Sequence, residues 1–227
     1  MGQSSGIGVL DKAVGVLRAA AVAPCGLSEL VERTGLPRAT AHRLAVGLET
    51  HRLLERDPDG RWRPGPALAE MAHGHHDPLL TAAEEVLPTL RDLTGESVQL
   101  YRREGDSRVC VAAAEPASGL RDTVPVGVRL PLTAGSGAKV LLAWSPEAPG
   151  SFDPGLLAEI RRRGWAQSVA EREKGVASVS APVRGPDGAV VAAVSVSGPV
   201  DRIGRKPGSR WANDLLAAAR ALETALA

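Results

Sequence analysis

Apolar residues near the start of the chain recur at the spacing of a helix with one buried face. Over residues 9–23 they occupy positions i, i+3, i+4, i+7 and i+11. The residues expected to face the core are Leu10, Ala13, Val14, Leu17 and Ala21. Because Pro24 lacks the amide that a helix needs, we expect this helix to end just before it.

Two shorter helices follow, separated by a tight turn. Ser28 is predicted to cap a helix over residues 29–34, and Gly35 is a typical C-terminal stop. The next helical pattern begins near Arg38 and ends near His51. Its expected core positions are Ala41, Leu44, Ala45 and Leu48. Two short helices joined by a short turn that contains glycine are typical of a helix-turn-helix.

A β-hairpin is predicted directly after the third helix. Residues 53–56 and 61–63 flank the sequence Asp-Pro-Asp-Gly at 57–60. In that turn the proline presets φ and the glycine tolerates a positive φ, which favours a tight reversal. Three helices and a two-stranded wing within residues 1–65 predict a winged helix-turn-helix domain.

The predicted third helix carries a basic and polar face opposite its core positions. In a helix-turn-helix, this helix places its N-terminal residues against base edges in the major groove. Arginine can donate two bonds to guanine, threonine can contact a base or a phosphate, and wing arginines suit phosphates or the minor groove. The candidate DNA-binding residues are Arg38, Ala39, Thr40, His42, Arg43, Arg61 and Arg63. The alternative interpretation is that these arginines form a solvated helix face.

The rest of the chain mixes strand-like and helix-like segments without strict alternation. The predicted strands cover residues 98–103, 108–114, 176–183 and 189–196, and the predicted helices cover 79–94, 137–144, 156–163 and 211–226. Pro88 is expected to start a second helix within the first helical segment. This order predicts an α+β domain in which helices pack on a sheet.

Composition is that of an ordinary globular protein. The 227 residues are 44% apolar and 23% charged, which argues against global disorder. Residues 1–66 carry a net charge of +2 and residues 67–227 a net charge of −1, so anion binding is favoured in the N-terminal part. Aromatic residues make up only 3%, which argues against a binder that stacks bases. With two cysteines, no signal segment and no apolar membrane span, we expect a cytoplasmic protein.

Candidate catalytic groups are few in the C-terminal part. All five histidines lie at or before residue 76, so residues 77–227 cannot supply a Ser–His or Cys–His pair. Cys110 lies in an apolar strand and is expected to be buried. The Gly-Ser-Gly-Ala-Lys run at 135–139 lacks the spacing of a phosphate loop, and Glu171 and Glu173 are expected to be loop charges. These residues predict no enzyme activity and no cofactor.

A cluster of possible metal ligands lies near the domain boundary. It comprises His73, His75, His76 and Asp77, in a segment that also contains glycine and proline. Structural zinc sites usually have four closed ligands at a Cys/His spacing that is absent here. We therefore expect a solvated linker and no metal site.

Small polar residues in the C-terminal part suggest a metabolite pocket. The turn before the helix at 137–144 offers the amides of Ser136 and Gly137, and a helix N-terminus favours an anion. Two serine pairs are expected on strand faces, because side chains alternate along a strand. They are Ser178 with Ser180, and Ser195 with Ser197. The alternative is that these small hydroxyls merely line a crowded sheet.

The chain resembles the IclR family of transcriptional regulators. The resemblance is carried by the run LSELVERTGLPRATAHRL at 27–44 and by LLERDPDGRW at 53–62, and it extends over about residues 7–226. It implies a winged helix-turn-helix over 1–65, a linker helix over 66–78 and a GAF-like effector-binding domain over 79–227. It also implies homodimers or homotetramers on double-stranded operator DNA. The chain is most similar to the actinobacterial NdgR/AreB subgroup, which is tied to amino-acid, chiefly leucine, biosynthesis genes.

The resemblance implies a ligand set for the pocket as well. In related regulators, serines at the positions of Ser195 and Ser197 hold a small carboxylate, helped by amides at the positions of Ser136 and Gly137. A family cysteine falls on Ser178 and a family aspartate on Ser168, so this chain lacks the family's acidic group. Glu171 or Glu173 could replace that charge, for example towards an amino-acid ammonium group. The expected effector-binding residues are Ser136, Gly137, Ser168, Ser178, Ser195 and Ser197.

The expected function is therefore a DNA-binding regulator whose operator affinity responds to a small carboxylate or amino acid. Two other classes stay open at this point. One is a small-molecule enzyme with an appended winged-helix domain, which the positions of the histidines disfavour. The other is an adaptor whose winged-helix domain binds protein instead of DNA.

Overall fold

The computed structural model describes residues 5–72, 77–145 and 152–227, and the chain divides into two compact units, 1–76 and 77–227. The first unit contains, in order, α1 (Gly8–Val22), α2 (Leu27–Thr34), α3 (Arg38–Thr50), β1 (Leu54–Arg56), β2 (Trp62–Pro64) and α4 (Pro66–Ala72). The two strands pair antiparallel, so that the predicted winged helix-turn-helix is confirmed.

Helix α1 buries a face that only partly matches the predicted one: Leu17 packs against the core and Ala13 is half-buried. The expected core positions Leu10 and Val14 are 49% and 37% exposed, and Ala21 is exposed as well. The buried residues are Val16, Ala19 and Ala20. Because α1 is apolar on nearly every side, periodicity alone does not select the face that packs. The small side chains at the buried positions allow close contact with α2 and α3.

The start of α2 also differs from the prediction. The N-cap residue is Gly26 and not Ser28, which lies exposed in the first turn. The carboxylate of Glu29 reaches back and accepts a hydrogen bond from the Gly26 amide at 2.8 Å, which is one half of a capping box. That bond lowers the pKa of the Glu29 carboxyl. Gly35 ends the helix as predicted, with a φ of +66°.

The core of the first unit is centred on the wing tryptophan. Trp62 is 2% exposed, and its indole nitrogen donates to Glu49 Oε2 at 3.0 Å. The predicted stripe of α3 faces this core: Ala41 and Ala45 are buried, and Leu44 and Leu48 are half-buried. The opposite face of α3 is left to solvent.

The second unit is built on one antiparallel sheet. Its elements are α5 (Pro78–Thr94), β3 (Ser97–Glu104), β4 (Ser107–Ala114), β5 (Arg129–Pro131), α6 (Ser136–Ala143), α7 (Pro154–Arg163), β6 (Ala166–Val169), β7 (Val176–Arg184), β8 (Val190–Pro199), α8 (Val200–Ile203) and α9 (Pro207–Thr224). The strand order is β5-β4-β3-β8-β7-β6. The expected α+β, GAF-like fold is thereby confirmed. β5, β6 and α8 were not predicted, since three or four residues are too few to show a periodicity.

Helix α5 runs through Pro88 without dividing there. The prediction of a new helix at this proline is wrong, because one continuous buried face holds the segment together. That face is formed by Leu79, Ala83, Leu87, Leu90 and Thr94. Their packing outweighs the single backbone hydrogen bond that a proline removes from a helix interior.

Asp77 belongs to the second unit and is not a solvated linker residue as expected. Its carboxylate caps α5 by accepting from the Leu79 amide at 3.1 Å. The same carboxylate is paired with the guanidinium of Arg102 on β3. His73, His75 and His76 lie outside the described residues.

Alternation along β7 and β8 divides their side chains between the two faces of the sheet. One face packs against α5 and α9 through Ala177, Val179, Ala181, Val183, Ala192, Val194 and Val196. The other face carries the serines towards α6, where Ser136 meets Ser180. None of the described helices is both long and apolar enough to cross a bilayer.

Candidate functional site

The face of α3 that points away from the core carries the predicted recognition residues. Ala39, His42 and Arg43 are exposed, and Thr40 is half-buried. Within residues 5–72, the Arg43 guanidinium meets no hydrogen-bond acceptor. Arg38, also exposed, donates to the hydroxyl of Ser28 at 3.2 Å. This surface therefore presents two cationic side chains that have no acidic partner.

The two predicted wing arginines are placed differently. Arg61 turns back into the domain, where it donates to the carbonyl oxygen of Pro24 at 2.7 Å and to both oxygens of Glu29 at 2.9 and 3.0 Å. Arg63 points along the wing and pairs with Glu55 at 2.7 Å, with about half of its side chain exposed. Arg61 thus joins the wing to the start of α2, while Arg63 remains at the surface.

All six predicted effector residues line one small pocket in the second unit. Ser136 and Gly137 come from the start of α6, Ser168 from β6, Ser178 from β7, and Ser195 and Ser197 from β8. The strand register explains their meeting, because Ser178 is the cross-strand partner of both Ser168 and Ser197. The enclosed space is about 20 Å³, which suffices for about one water molecule. A larger ligand therefore requires lining side chains to move.

A chain of buried hydroxyls forms the floor of this pocket. The Ser136 hydroxyl lies 2.7 Å from the hydroxyls of both Ser178 and Ser180, and Ser180 donates to Ser195 at 2.8 Å. Ser197 donates to the side-chain oxygen of Gln99 at 3.0 Å. Each hydroxyl can act as donor and as acceptor, so the chain can reorient to suit a bound group.

The turn before α6 is fixed by a lysine and a glutamate. Lys139 pairs with Glu171 and donates to the carbonyl oxygen of Gln167 at 3.0 Å, and the second oxygen of Glu171 accepts from the Gly135 amide at 3.3 Å. Lys139 is thus engaged within the fold. Of the two glutamates considered for an effector ammonium group, Glu171 is held by these two partners and Glu173 lines the pocket, and that role stays a prediction for both.

Sequence analysis missed four large polar side chains that line the pocket, and three of them are charged. They are Tyr101, Arg108, Asp122 and Arg172. Asp122, with a side chain only 7% exposed, accepts from Arg172 at 2.9 and 3.0 Å. Arg108 lies over the ring of Tyr101 at 5.3 Å. Burial raises the pKa of the Tyr101 hydroxyl and lowers the pKa of Arg108.

Two acidic residues line the pocket: Asp122 is buried, and Glu173 lies at the rim. Glu173 lines the pocket with a side chain that is 60% exposed, and lies 3.6 Å from Arg172. No periodicity or motif marks Asp122, which lies between strands. Where the family has an aspartate, this chain has Ser168, and the pocket has instead the carboxylate of Asp122 from the segment between β4 and β5.

The remaining candidate groups are a buried cysteine and the possible metal ligands. Cys110 is fully buried, with its sulfur 3.4 Å from the carbonyl oxygens of Ala112 and Val124, and burial raises its pKa to about 12. Across residues 5–72, 77–145 and 152–227, no group of three or more His, Cys, Asp or Glu side chains could hold a metal ion. A thiol with such a pKa is not a ready nucleophile at neutral pH.

Comparison with known families and proteins agrees with this division. A profile described as "IclR helix-turn-helix domain" matches residues 9–58, and one described as "Bacterial transcriptional regulator IclR C-terminal" matches residues 71–151 and 155–224. The HTH-type transcriptional regulator TtgV of Pseudomonas putida is 31% identical, over 78% of this chain and 77% of that protein. The HTH-type transcriptional regulator BhcR of Paracoccus denitrificans is 30% identical, over 99% of this chain and 89% of that protein.

A solved structure with a bound small molecule is similar as well. It is an IclR homolog from Microbacterium hydrocarbonoxydans complexed with 4-hydroxybenzoate, with a TM-score of 0.78 and 26% identity. The match covers 96% of this chain and 98% of that one. The relatives described here are transcriptional regulators, a class of protein that does not act by catalysis.

Proposed function

Because the chain belongs to the IclR family of transcriptional regulators, we propose that it binds a specific operator in double-stranded DNA and that a small carboxylate or amino acid changes this binding. The observation that carries the proposal is the exposed face of α3, on which Arg43 stands without an acceptor. A recognition helix needs such a face, because its side chains must exchange water for base edges.

The individual contacts on DNA follow from the position of each side chain. Arg43 reads a base, with guanine O6 and N7 as the preferred acceptors, and Ala39 and Thr40 lie at the N-terminal end that enters the groove first. His42 borders this face, since its ring meets Trp62 edge-on at 6.0 Å. Arg38 contributes a phosphate contact from the first turn of α3.

On the wing, Arg63 is the residue that contacts phosphate or the minor groove. Its ion pair with Glu55 is exposed and is worth little in water, so DNA can compete for the guanidinium. Arg61 has a different role, because its donors already hold Glu29 and Pro24. Arg61 positions the wing and is only a minor contributor to DNA contact.

The pocket at the start of α6 is the effector site of this proposal. Six expected residues converge there, and the similar 4-hydroxybenzoate complex supports a small carboxylate as the kind of ligand. Binding can alter DNA affinity only if the ligand prefers one of two conformations of the protein. The targets that we propose are amino-acid biosynthesis genes of the leucine type, on the strength of the resemblance to the NdgR/AreB subgroup.

We propose a homodimer or homotetramer as the DNA-binding form. Two recognition helices on a two-fold axis match a palindromic operator. Support comes from α1, on which Leu10 and Val14 leave an apolar stripe in solvent together with Ile7 before the helix. A partner chain would cover these side chains, as apolar stripes on helices are usually covered.

The experiment starts with genomic DNA fragments that the purified protein retains, which are sequenced to define an operator. Fluorescence anisotropy on that operator then measures the affinity of Arg43→Ala. We expect a loss of about 1–3 kcal/mol, roughly fivefold to more than a hundredfold in Kd. Arg220→Ala on the exposed side of α9 makes the same charge change elsewhere and is expected to bind normally.

A second variant separates the pocket from DNA binding. Ser195→Ala combined with Ser197→Ala should keep the operator affinity and lose the response to effector. Normal operator affinity in Arg43→Ala contradicts the recognition face, and an unchanged effector response in the serine variant contradicts the pocket. Retention of random fragments, with no shared sequence, would instead favour the adaptor class.

A further inference from the structure

Two arginines line the pocket, and they differ in what neutralises them. Arg172 donates two hydrogen bonds to the carboxylate of Asp122. Arg108 donates from Nη1 to the backbone carbonyl oxygens of Pro131 at 2.7 Å and Ala134 at 3.0 Å. In the part of the chain that the structure describes, no carboxylate lies within ion-pair distance of Arg108. One pocket arginine has a counter-charge and the other has none.

Arg108 is also deeply buried for an arginine. Only 3% of the residue is exposed, and its Nε–H, which is shielded from water, has no acceptor. Desolvation lowers the pKa of the guanidinium, but an arginine remains protonated at neutral pH in proteins. A buried charge is costly to leave unpaired, and a buried N–H without an acceptor adds to that cost. The guanidinium of Arg108 therefore lacks an anion that would neutralise its charge.

The guanidinium lies against the N-terminal turn of α6. A β-carbon at Gly135 would stand 3.1 Å from Nη2, and one at Gly137 would stand 3.7 Å from Nε. A side chain at position 135 would therefore crowd the guanidinium, and one at position 137 would be in van der Waals contact with it. The amino end of a helix carries partial positive charge. Two positive groups thus converge on one point, which is favourable only when an anion lies between or beside them.

The acids near this point are already engaged. Asp122 is held by Arg172, and Glu171 is held by Lys139 and the Gly135 amide. Glu173 lies at the rim with most of its side chain in water. The buried part of the pocket is therefore short of negative charge and not of positive charge.

We propose that Arg108 is the specificity-determining residue of the pocket, which binds the carboxylate of the effector and makes that charge a requirement for binding. This inference rests on the proposed function of the pocket. The guanidinium is a planar donor, so it can meet a carboxylate with more than one hydrogen bond. The ring of Tyr101 beneath it restricts its movement. The serine hydroxyls then contact the rest of the ligand.

The test compares acetate with acetamide, which has nearly the same shape and no charge. Thermal shift and calorimetry on the full chain measure the binding of each, with sodium chloride at the same ionic strength as reference. Acetate should stabilise the natural protein and acetamide should not. In Arg108→Gln the affinity for acetate should fall by about tenfold to a hundredfold, the usual effect of losing a charged hydrogen bond. Equal effects of acetate and acetamide, or unchanged acetate affinity in the variant, would overturn the proposal.

Two further variants guard against a trivial result. Arg108→Lys keeps the charge and loses the planar donor, so it should bind acetate several-fold more weakly and still reject acetamide. If Arg108→Gln does not fold, this variant tests whether Arg108 binds the carboxylate. Arg161→Gln removes another arginine that donates to a backbone carbonyl, that of Ala143, outside the pocket. Its acetate affinity should be unchanged.

The same samples distinguish this inference from the proposed function. If acetate binding depends on Arg108 but no carboxylate changes operator affinity, the assignment of Arg108 stands and the regulatory role of the pocket fails. If an effector changes operator affinity equally in the natural protein and in Arg108→Gln, the pocket stands and the assignment of Arg108 fails.

Discussion

Arginine is used in opposite ways in the two units of this protein. On α3, the side chain of Arg43 is exposed to water, where an unpaired charge costs little. From there the guanidinium is free to pair with DNA in the proposed complex. In the second unit, Arg108 is removed from water and held by backbone carbonyls and an aromatic ring. A long polyanion can be attracted by solvated charges, whereas a small anion must find its partners already in place. Exposure thus fits the role proposed for Arg43 on a polymer, and burial fits the role proposed for Arg108 on a small ligand.

The two units also differ in how their interiors are filled. The first has one small core, in which Trp62 is the largest side chain and Leu30 and Leu54 are buried beside it. The second has two apolar clusters, one on each face of its sheet, and a chain of buried hydroxyls beside one of them. Stability in the first unit should therefore be sensitive to one residue. In the second unit it should depend on polar groups that satisfy each other.

The largest effect is expected from Trp62→Ala. The substitution removes the largest side chain from the core of the first unit, together with the hydrogen bond to Glu49 and the contact with the guanidinium of Arg56 at 4.1 Å. We expect a loss of about 3–5 kcal/mol in the stability of that unit. Operator binding should be lost with it, although Trp62 itself touches no base in the proposed complex.

Hydrogen–deuterium exchange resolves the two units in the full chain. Peptides from 27–64 should lose protection in Trp62→Ala, while peptides from 176–199 should keep it, because the two units have separate cores. Loss of protection in both regions would show that the units share their stability and would refute this comparison.

A smaller effect is expected from Ser180→Ala in the second unit. Its hydroxyl, which is fully buried, joins Ser136 to Ser195, so removal leaves two hydroxyls with one partner fewer. The expected loss is about 1–3 kcal/mol, since buried polar groups are costly to leave unsatisfied. Urea unfolding measures this loss of stability, with hydrogen–deuterium exchange of the 176–199 peptides as the signal for unfolding of the second unit.

The matched comparison is Arg43→Ala in the first unit. That exposed side chain should cost less than about 0.5 kcal/mol of stability while it costs operator affinity. A stability loss in Arg43→Ala as large as that in Ser180→Ala would mean that the face of α3 is not simply a solvated surface.

Much of the first unit could be predicted because its signals are local. The core stripe of α3, the turn at 57–60 and the exposed recognition face all follow from residues within one or two turns of each other. The strand serines were predictable for the same reason, since alternation alone places them on one face. The exception was α1, where apolar residues on nearly every side left the choice of face to tertiary packing.

The charged part of the pocket could not be predicted in this way. Arg108 lies on β4, while Asp122 and Arg172 lie in connecting segments, and they meet only because of the sheet order. No spacing in the sequence encodes that order. The same holds for Pro88, where long-range packing of α5 overrode a strong local signal.

A smaller loss of stability than that of Ser180→Ala is expected from Asp77→Asn, and its dependence on pH separates the effect of the charge from that of the helix cap. The hydrogen bond from Arg102 holds the pKa of the Asp77 carboxyl below its ordinary value. A carboxyl whose pKa is lower in the folded state contributes stability above its unfolded pKa of about 4. That contribution disappears as the pH falls through the folded value. Asparagine keeps an acceptor for the Leu79 amide but loses the charge.

At pH 7 we expect Asp77→Asn to cost about 1 kcal/mol, a modest figure because a third of the Arg102 side chain is exposed and solvent screens the pair. Urea midpoints of the second unit at pH 7, 5, 4 and 3 should show the difference between the natural protein and the variant shrinking at the acidic end. Glu84→Gln, exposed on the same helix, controls for the change in net charge. A difference that stays constant from pH 7 to pH 3 would mean that Asp77 acts only as a helix cap.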